Sequence, residues 1–307
     1  MSELKNIIYI SGSGRSGSTL LERIIHSSSG VAALGEFHCL WRLPEDEITC
    51  SCAIPFAEDP FWQRVLKQAD IDGAAIAELR RLESKVCRTS FVARRRYDIA
   101  ALAKDPDVSR FIGLQFRLFE SVADATGSHL LIDSSKAGPR AWLMACHPNV
   151  RIIHLYRDPA DVIASWRSAK YDPGMGHAMK RMSIGEAALD WWKVEYLIRR
   201  LERIHPVFRI DYADLCSSPE QVVQAALSAL SLETLPHPKW IDDTSVQQGD
   251  NYHSLNGNPD RFDKGPIRVS KREADWSKVS SRERLSIKAA ASAMRFLWPN
   301  RRGRAAT

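Results

Sequence analysis

The chain has 307 residues, of which 44% are hydrophobic and 26% are charged, and this composition excludes a disordered protein. Its 43 Lys and Arg against 37 Asp and Glu give a net charge of +6, which favours an anionic ligand but is too small to indicate a nucleic-acid partner. No run of about 18 apolar residues is present, and six cysteines are too sparse for a disulfide scaffold. We therefore expect no integral membrane segment and a cytoplasmic location.

Short apolar runs alternate with helical patterns along the chain, which predicts an α/β fold with a P-loop-like parallel sheet flanked by helices. The apolar runs lack polar alternation, which is typical of strands covered on both faces. The predicted strands are residues 6–11, 129–133, 150–156 and 207–210, and the predicted helices are residues 20–26, 183–204, 219–232 and 281–298.

Two longer segments depart from this alternation. Residues from about 50 to 128 have mainly helical patterns, which predicts a helical insertion. Residues from about 233 to 280 are rich in Pro, Gly, Asn and Asp, and a loop of that length in a compact protein is usually functional. Because no linker is recognisable, we expect a single domain over residues 1–307.

The loop after the first predicted strand reads GSGRSGST at residues 12–19. It has the spacing of the phosphate loop GxxxxGK[ST], but Ser18 replaces the Lys that contacts the β- and γ-phosphates of ATP, which argues against an ATP site. Glycines let backbone N–H groups surround an anion at the positive end of the next helix, and Arg15 supplies a cation. The predicted anion-binding residues are Ser13, Gly14, Arg15, Ser16, Gly17, Ser18 and Thr19.

A second candidate site follows the strand at 150–156, which ends at Arg157-Asp158-Pro159. Proteins with parallel sheets bind ligands at the carboxyl edge of the sheet, so Arg157 is a candidate anion ligand. From the residues alone, a solvated ion pair between Arg157 and Asp158 explains the pattern equally well.

The two blocks together resemble the sulfotransferases that use 3′-phosphoadenosine 5′-phosphosulfate (PAPS). IYISGSGRSGSTLLERII resembles the 5′-phosphosulfate loop of the branch that contains the tyrosylprotein sulfotransferases and many bacterial enzymes, in which Arg replaces Lys. RIIHLYRDPADVIASWR resembles the 3′-phosphate motif, which implies that Arg157 and Ser165 hold that phosphate. Residues 253–276 resemble the loop that folds over the nucleotide, where Arg261 and Lys264 are candidate donor ligands; an unstructured basic loop is the alternative.

The resemblance also implies which residues carry out the transfer. Glu36 lies 21 residues after Arg15 in a Gly-Glu sequence like that of the catalytic Glu in the tyrosylprotein branch, so Glu36 is the predicted general base. His38 is the alternative base. Lys136 is similar to a Lys that several sulfotransferases direct at the transferred group, and with Arg15 it is predicted to stabilise the leaving phosphosulfate oxygens; an exposed Lys at the start of a helix is the alternative.

No metal is predicted. Cys50 and Cys52 resemble a Cys-containing segment of related bacterial enzymes, in which a further Cys precedes a Phe-Trp pair; here Asp59 and Pro60 occupy that stretch. A zinc site needs further ligands at matching spacing, and the sequence does not reveal them. Asp133 imitates the Mg²⁺ ligand of a nucleotide kinase, but it is more simply interpreted as the cap of the next helix or as a residue that holds Ser134 and Lys136 in place.

These observations predict a sulfotransferase that moves the sulfuryl group from PAPS to a hydroxyl or amine and releases 3′-phosphoadenosine 5′-phosphate. The acceptor stays open among glycans, lipids and small molecules. An ATP-dependent P-loop kinase of a small molecule and a non-catalytic nucleotide-binding protein are the alternatives.

Overall fold

A five-stranded parallel sheet forms the centre of the structure, a computed structural model that describes residue 4 and residues 6–168, 171–174, 176–179, 181–232, 236–272 and 274–297. The strands are β1 (Asn6–Ser11), β2 (Val31–Gly35), β3 (Leu130–Lys136), β4 (Val150–Tyr156) and β5 (Val207–Asp211). Their spatial order is β2-β3-β1-β4-β5, and every neighbouring pair is parallel. The predicted α/β fold class is confirmed.

Helices pack against the sheet, and several of them lie between β2 and β3 in the chain. They are α1 (Ser18–His26), α2 (Cys39–Arg42), α3 (Pro60–Gln68), α4 (Gly73–Val86), α5 (Thr89–Arg94), α6 (Ile99–Ala103), α7 (Pro106–Thr126), α8 (Gly138–Met144), α9 (Pro159–Arg167), α10 (Ile184–Leu201), α11 (Tyr212–Ser217), α12 (Pro219–Ala229) and α13 (Ser281–Leu297). Single 3₁₀ turns occur at Glu45–Glu47, Phe56–Glu58, Pro259–Phe262 and Trp276–Lys278. Within the described ranges, no helix combines the length and apolarity that a membrane crossing requires.

Strand β1 shows why its sequence is a continuous apolar run. Ile7 and Tyr9 belong to the core cluster shared with the helices between β2 and β3, whereas Ile8 and Ile10 belong to the cluster on the α1 and α12 side. All four side chains are fully buried. Because successive side chains of a strand point to opposite faces, a sheet covered on both faces requires apolar residues at every position.

Strand β2 is absent from the sequence-based prediction. Its sequence VAALG has one β-branched residue, Val31, and two alanines, so its strand signal is weak. Glycines with positive φ, Gly30 (75°) and Gly35 (69°), set its bounds, and its pairing with β3 fixes the conformation. The predicted end of the last helix, residue 298, lies outside the described residues.

The segment predicted as a long loop contains regular structure. Strands Trp240–Asp242, Ser245–Val246 and Ile267–Arg268 form a small antiparallel sheet, in which Val246 and Ile267 are buried against the α1 side of the core. A separate hairpin pairs Tyr171–Asp172 with His177–Ala178.

Candidate active site

Four neighbouring strands deliver the predicted site residues to one edge of the sheet. Glu36 follows β2, Lys136 ends β3, the glycine loop at residues 12–19 follows β1, and Arg157 follows β4. All four line one cavity of about 620 Å³, which is within the ~300–1,000 Å³ of typical ligand sites. The carboxyl ends of adjacent parallel strands meet at one edge, so the topology itself brings these distant residues together.

The glycine loop makes a tight turn from β1 into α1. Gly17, the N-cap of α1, has a φ of 101°, and Arg15 has a φ of 70°. Gly14 and Gly17 have no room for a side chain, because a Cβ would lie 2.4 Å from the Trp166 ring and 2.6 Å from the Tyr212 ring, respectively. The first residues of α1, Ser18 and Thr19, line the cavity together with these two rings, so the positive end of the helix lies at the cavity wall.

The predicted loop residues occupy two layers. Those that line the cavity are Gly14, Arg15, Gly17, Ser18 and Thr19. Ser13 and Ser16 are buried behind them, and the N–H of Ser16 donates to the carbonyl of Ser13 over 3.2 Å. The Ser16 hydroxyl has no hydrogen-bond partner among the described residues.

Arg15 presents a desolvated cation to the cavity. Its guanidinium lies 4.9 Å from the Trp166 ring centroid, and Nη2 donates to Sδ of Met179 over 3.4 Å. Its Nε is buried and has no partner among the described residues. Burial lowers the pKa of Arg15 below its ordinary value, because the charged form loses hydration that no adjacent carboxylate replaces in full.

The side chain of Arg157 is held in place by a backbone carbonyl and by an aromatic ring. Nη1 donates to the Arg15 carbonyl over 2.9 Å, and the guanidinium lies 4.5 Å from the Tyr212 ring centroid. The indole N–H of Trp191, which is buried in α10, donates to the Arg157 carbonyl over 3.0 Å. Nε of Arg157 has no partner among the described residues, and Ser165 lies on the same cavity wall.

Glu36 is fixed by a turn that only glycine permits. A Cβ on Gly35 would lie 2.3 Å from the Leu255 carbonyl, and that carbonyl accepts the Glu36 N–H over 2.8 Å. The Glu36 carboxylate accepts a hydrogen bond from Nζ of Lys136. On the other side, a Cβ on Gly257 would lie 3.6 Å from both the Glu36 carboxylate and the Thr19 hydroxyl. The carboxylate therefore sits between Lys136 and the N-terminal turn of α1.

The alternative base, His38, lies behind the cavity wall. Its side chain does not line the cavity and is nearly buried. Burial lowers the pKa of His38 well below its ordinary value, so the ring is neutral at physiological pH. The geometry favours Glu36 over His38 for contact with a substrate.

Asp133 does not face the cavity. Its Oδ2 accepts from Nη2 of Arg140 over 2.8 Å, and both partners are fully buried. Its Oδ1 accepts from the N–H and the hydroxyl of Ser135. The carboxylate therefore holds Ser135 and Arg140, whereas the expected partners Ser134 and Lys136 bond to other residues and α8 has no side-chain cap.

The two candidate donor ligands of the C-terminal loop have different environments. Lys264 lines the cavity. Arg261 does not: its side chain is fully buried, and it donates to Asp172, to the Thr49 hydroxyl and to the Gly257 carbonyl. The prediction that Arg261 contacts the donor is therefore not supported by its position, because its guanidinium is occupied in tying three segments together.

Several cavity residues were missed by the sequence analysis. Trp166 and Tyr212 supply the ring faces, and buried Arg23 donates to the carbonyls of Asp260 and Asp263 over 2.6 and 3.0 Å. The cationic side chains on the cavity wall are Arg15, Arg23, Lys136, Arg157, Lys264, Arg268 and Arg272, and the acidic ones are Glu36, Asp260, Asp263 and Asp275. The described wall is therefore positively charged, as a polyanionic ligand requires. Trp166 and Arg23 lie in helices α9 and α1, and nothing in the sequence marks them as cavity residues rather than core residues.

Comparison with known proteins agrees with this arrangement. A family model described as the Sulfotransferase family matches residues 8–236, which contain the glycine loop, Glu36, Lys136 and Arg157. The protein is thus a transferase. More narrowly, the chain belongs to the sulfotransferase family. A comparison with curated proteins gives no match.

The chain is also similar to solved structures that are named as sulfotransferases. The sulfotransferase domain from the Synechococcus PCC 7002 olefin synthase is 18% identical, with a TM-score of 0.44 and coverage of 98% of this chain and 97% of that chain. The sulfotransferase domain from the curacin biosynthetic pathway is 20% identical, with a TM-score of 0.49 and coverage of 95% and 99%. Sulfotransferase STF9 from Mycobacterium avium is 16% identical, with a TM-score of 0.44 and coverage of 99% and 79%. The family assignment rests on the family model.

Proposed function

We propose that this sulfotransferase uses PAPS as its donor and transfers the sulfuryl group to a hydroxyl or amine of a glycan, lipid or small-molecule acceptor. The observation that carries the proposal is a pair of buried donors on the wall of one cavity, Nε of Arg15 and Nε of Arg157, which have no partner among the described residues; the Ser16 hydroxyl behind the wall has none either. Buried donors of this kind are costly unless a ligand satisfies them, and an anion with phosphate groups at both ends fits two separated guanidinium groups.

The donor is oriented by the two blocks that the resemblance singled out. The loop residues that line the cavity, Gly14, Arg15, Gly17, Ser18 and Thr19, bind the 5′-phosphosulfate at the positive end of α1. Arg157 and Ser165 face the 3′-phosphate, and Lys264 supports the donor from the C-terminal segment. The faces of Trp166 and Tyr212 offer apolar surface between the two charged ends.

Glu36 and Lys136 have different roles in the transfer. The carboxylate of Glu36 removes the proton of the acceptor while the acceptor oxygen or nitrogen forms a bond to sulfur. The bond between sulfur and the bridging oxygen breaks, and its electron pair stays on the departing 3′-phosphoadenosine 5′-phosphate. Lys136 and Arg15 stabilise the charge that develops on that oxygen, the kind of preorganised electrostatic assistance that group transfer requires.

The direct test is donor binding and transfer by the full chain. Calorimetry with 3′-phosphoadenosine 5′-phosphate should show binding without Mg²⁺, and radiolabelled PAPS should transfer label to at least one of a panel of glycans, lipids and small alcohols. Arg15→Ala should weaken binding by about 100-fold, because charge-assisted hydrogen bonds to the phosphosulfate are lost. Arg81→Ala, which removes an exposed Arg of α4, is the matched control and should bind as the unsubstituted chain does.

The two alternatives give different results in the same assays. Tight binding of ATP with Mg²⁺ and none of the adenosine bisphosphate would indicate a kinase. Donor binding without turnover, unchanged by Glu36→Gln, would indicate a non-catalytic nucleotide-binding protein.

We also propose one domain over residues 1–307 and a cytoplasmic location. The six cysteines are free thiols, which supports a reducing compartment.

A further inference from the structure

Four side chains with metal-binding atoms meet outside the donor cavity. Cys50, Cys52, Asp59 and His253 each place one ligand atom within 4.8 Å of all the others. Sγ of Cys50 lies 3.6 Å from Nδ1 of His253, and Oδ2 of Asp59 lies 3.7 Å from the same nitrogen. Sγ of Cys52 donates to Oδ2 of Asp59 over 3.1 Å.

The separations of 3.6 Å between Cys50 and His253 and 3.7 Å between Asp59 and His253 match those of a tetrahedral zinc site. Zinc lies about 2.3 Å from sulfur and about 2.0–2.1 Å from nitrogen or oxygen, so tetrahedral ligand atoms are separated by about 3.4–3.8 Å. The contact between Cys52 and Asp59 is shorter because a thiol proton lies between the two atoms. A metal ion in place of that proton restores the wider spacing.

The burial of Asp59 also indicates a cation. Its side chain is fully buried, yet its ion-pair partner in the described part of the chain is the half-buried His253 rather than Lys or Arg. Its Oδ1 accepts the Phe61 N–H over 2.9 Å and so caps α3, which leaves Oδ2 directed at the Cys52 thiol and the His253 ring. A buried carboxylate beside two thiols is costly unless a cation compensates it.

The surrounding structure holds all four ligands in position. The His253 ring stacks on Phe61 with a centroid separation of 4.0 Å and an interplanar angle of 12°. Ser51, between the two cysteines, donates its N–H to the Ser254 carbonyl and its hydroxyl to the Tyr252 carbonyl, and its hydroxyl oxygen accepts the Ser254 N–H. Backbone hydrogen bonds therefore fix the cysteine segment against the histidine segment, independently of any metal.

We propose that Cys50, Cys52, Asp59 and His253 bind one Zn²⁺ in a closed tetrahedral site. Two thiolates, one imidazole and one carboxylate are ligands that zinc prefers, and four protein ligands leave no open position for substrate, which is typical of structural zinc sites. None of the four residues lines the donor cavity. The proposal is therefore independent of the proposed donor and acceptor.

Zinc at this site would also affect Glu36, through the backbone of Leu255. Cys50 and Leu255 form a β-bridge, and the Leu255 carbonyl accepts the Glu36 N–H over 2.8 Å. A zinc ion that binds Cys50 and His253 would fix Leu255 from both sides. We therefore expect zinc to stabilise the turn that carries Glu36 without touching the donor.

The test begins with the full chain, purified without a metal-binding tag under reducing conditions. Elemental analysis should find about one zinc per chain, as a site with four protein ligands requires. The metal-free chain should regain Zn²⁺ in competition with a chromogenic chelator, and Co²⁺ should give the intense visible absorption of a tetrahedral site with thiolate ligands. Chelation should lower the melting temperature of the unsubstituted chain, and added Zn²⁺ should restore it.

Variants separate this site from other thiols and histidines. Cys52→Ser and His253→Ala should each weaken Zn²⁺ binding by more than about 100-fold. Cys146→Ser and His237→Ala, which change a free thiol and an exposed histidine elsewhere, should leave zinc binding unchanged. Zinc content is read without donor, so failure here is distinguishable from failure of the proposed function.

Three results would overturn the proposal. The first is a chain that neither contains zinc nor binds added Zn²⁺ more tightly than Cys52→Ser does. The second is an octahedral Co²⁺ spectrum. The third is a Cys50–Cys52 disulfide in a parallel preparation that is alkylated at cell lysis without reductant, detected by mass spectrometry. The chelation experiment needs no substitution, so a variant that fails to fold does not prevent a decision.

Discussion

Lys136 donates a hydrogen bond to the carboxylate of Glu36 across the ends of neighbouring strands β3 and β2. Lys136 has a φ of 67°, a left-handed conformation that is uncommon for a residue with a side chain. Its carbonyl accepts the N–H of Gly12 and the hydroxyl of Ser11, so its backbone also supports the start of the glycine loop. One residue thus connects the proposed base to the proposed donor loop.

Glu36→Gln should separate donor binding from transfer. The amide keeps a similar shape but cannot accept the acceptor proton, so the turnover number should fall by about 10²–10⁴-fold. The affinity for 3′-phosphoadenosine 5′-phosphate should change little. Glu45→Gln, on the exposed 3₁₀ turn at Glu45–Glu47, is the matched control and should retain turnover. Full activity in Glu36→Gln would exclude this residue as the base.

His38→Gln should leave the pH dependence of turnover in place. Burial holds the pKa of His38 well below its ordinary value of 6.5, so this ring does not titrate near neutral pH in the folded protein. The acidic limb of the profile of kcat/KM against pH should therefore keep its midpoint in His38→Gln. A shifted midpoint in His38→Gln would indicate that His38, and not Glu36, is the base.

Gly14→Ala should impair donor binding because the new methyl group collides with Trp166, 2.4 Å away. Displacement of that ring also moves the Arg15 guanidinium packed on it. We expect the affinity for 3′-phosphoadenosine 5′-phosphate to fall by more than about tenfold, the loss of at least one charge-assisted hydrogen bond. Gly113→Ala, in α7 with no neighbouring atom within 4 Å, is the control and should bind normally with equal or slightly higher stability.

Arg261→Ala should lower the stability of the fold, whereas Lys264→Ala should weaken donor binding. Removal of Arg261 leaves the Asp172 carboxylate buried without its partner, which should lower the free energy of unfolding by about 3–5 kcal/mol. Lys264→Ala should keep the unfolding free energy and weaken binding of 3′-phosphoadenosine 5′-phosphate by about tenfold. Urea denaturation and calorimetry measure the two effects. Unchanged stability in Arg261→Ala, with weakened donor binding, would restore Arg261 as a donor ligand.

Acid should remove the contribution that the ionised carboxylate of Glu195 makes to stability. Burial opposes ionisation of the Glu195 carboxyl, but His154 and Arg209 outweigh that effect and lower its pKa to about 2 from 4.5. A depressed pKa contributes stability above the unfolded value of about 4.5, and this contribution disappears as the pH falls towards 2. Its full size is about 3 kcal/mol.

Glu195→Gln tests this contribution by urea denaturation between pH 6 and pH 2. The stability difference between Glu195→Gln and the unsubstituted chain should shrink as the pH falls. Glu220→Gln, an exposed carboxyl on α12, should show no such trend. A constant difference across the range would show that Glu195 stabilises the fold by packing rather than by charge.

The sequence predicts the central strands well because a parallel sheet covered on both faces leaves continuous apolar runs. It also predicts the residues at the strand ends that line the cavity, since the order of the motifs fixes the edge at which they meet. It cannot predict the position of Arg261, because the partner Asp172 lies 89 residues away on a two-residue strand without a strand signal. The same limit hides the group around Cys50, whose neighbour His253 is 203 residues away.

The contact between Arg23 and the carbonyl of Asp260 spans 237 residues of chain and forms part of the proposed donor cavity. During synthesis, the glycine loop and α1 exist long before the segment that covers them. A growing chain therefore carries an incomplete, positively charged cleft until residue 260 has left the ribosome. Closing such a long loop is entropically slow, so the cavity walls are expected to be among the last parts of the molecule to assemble.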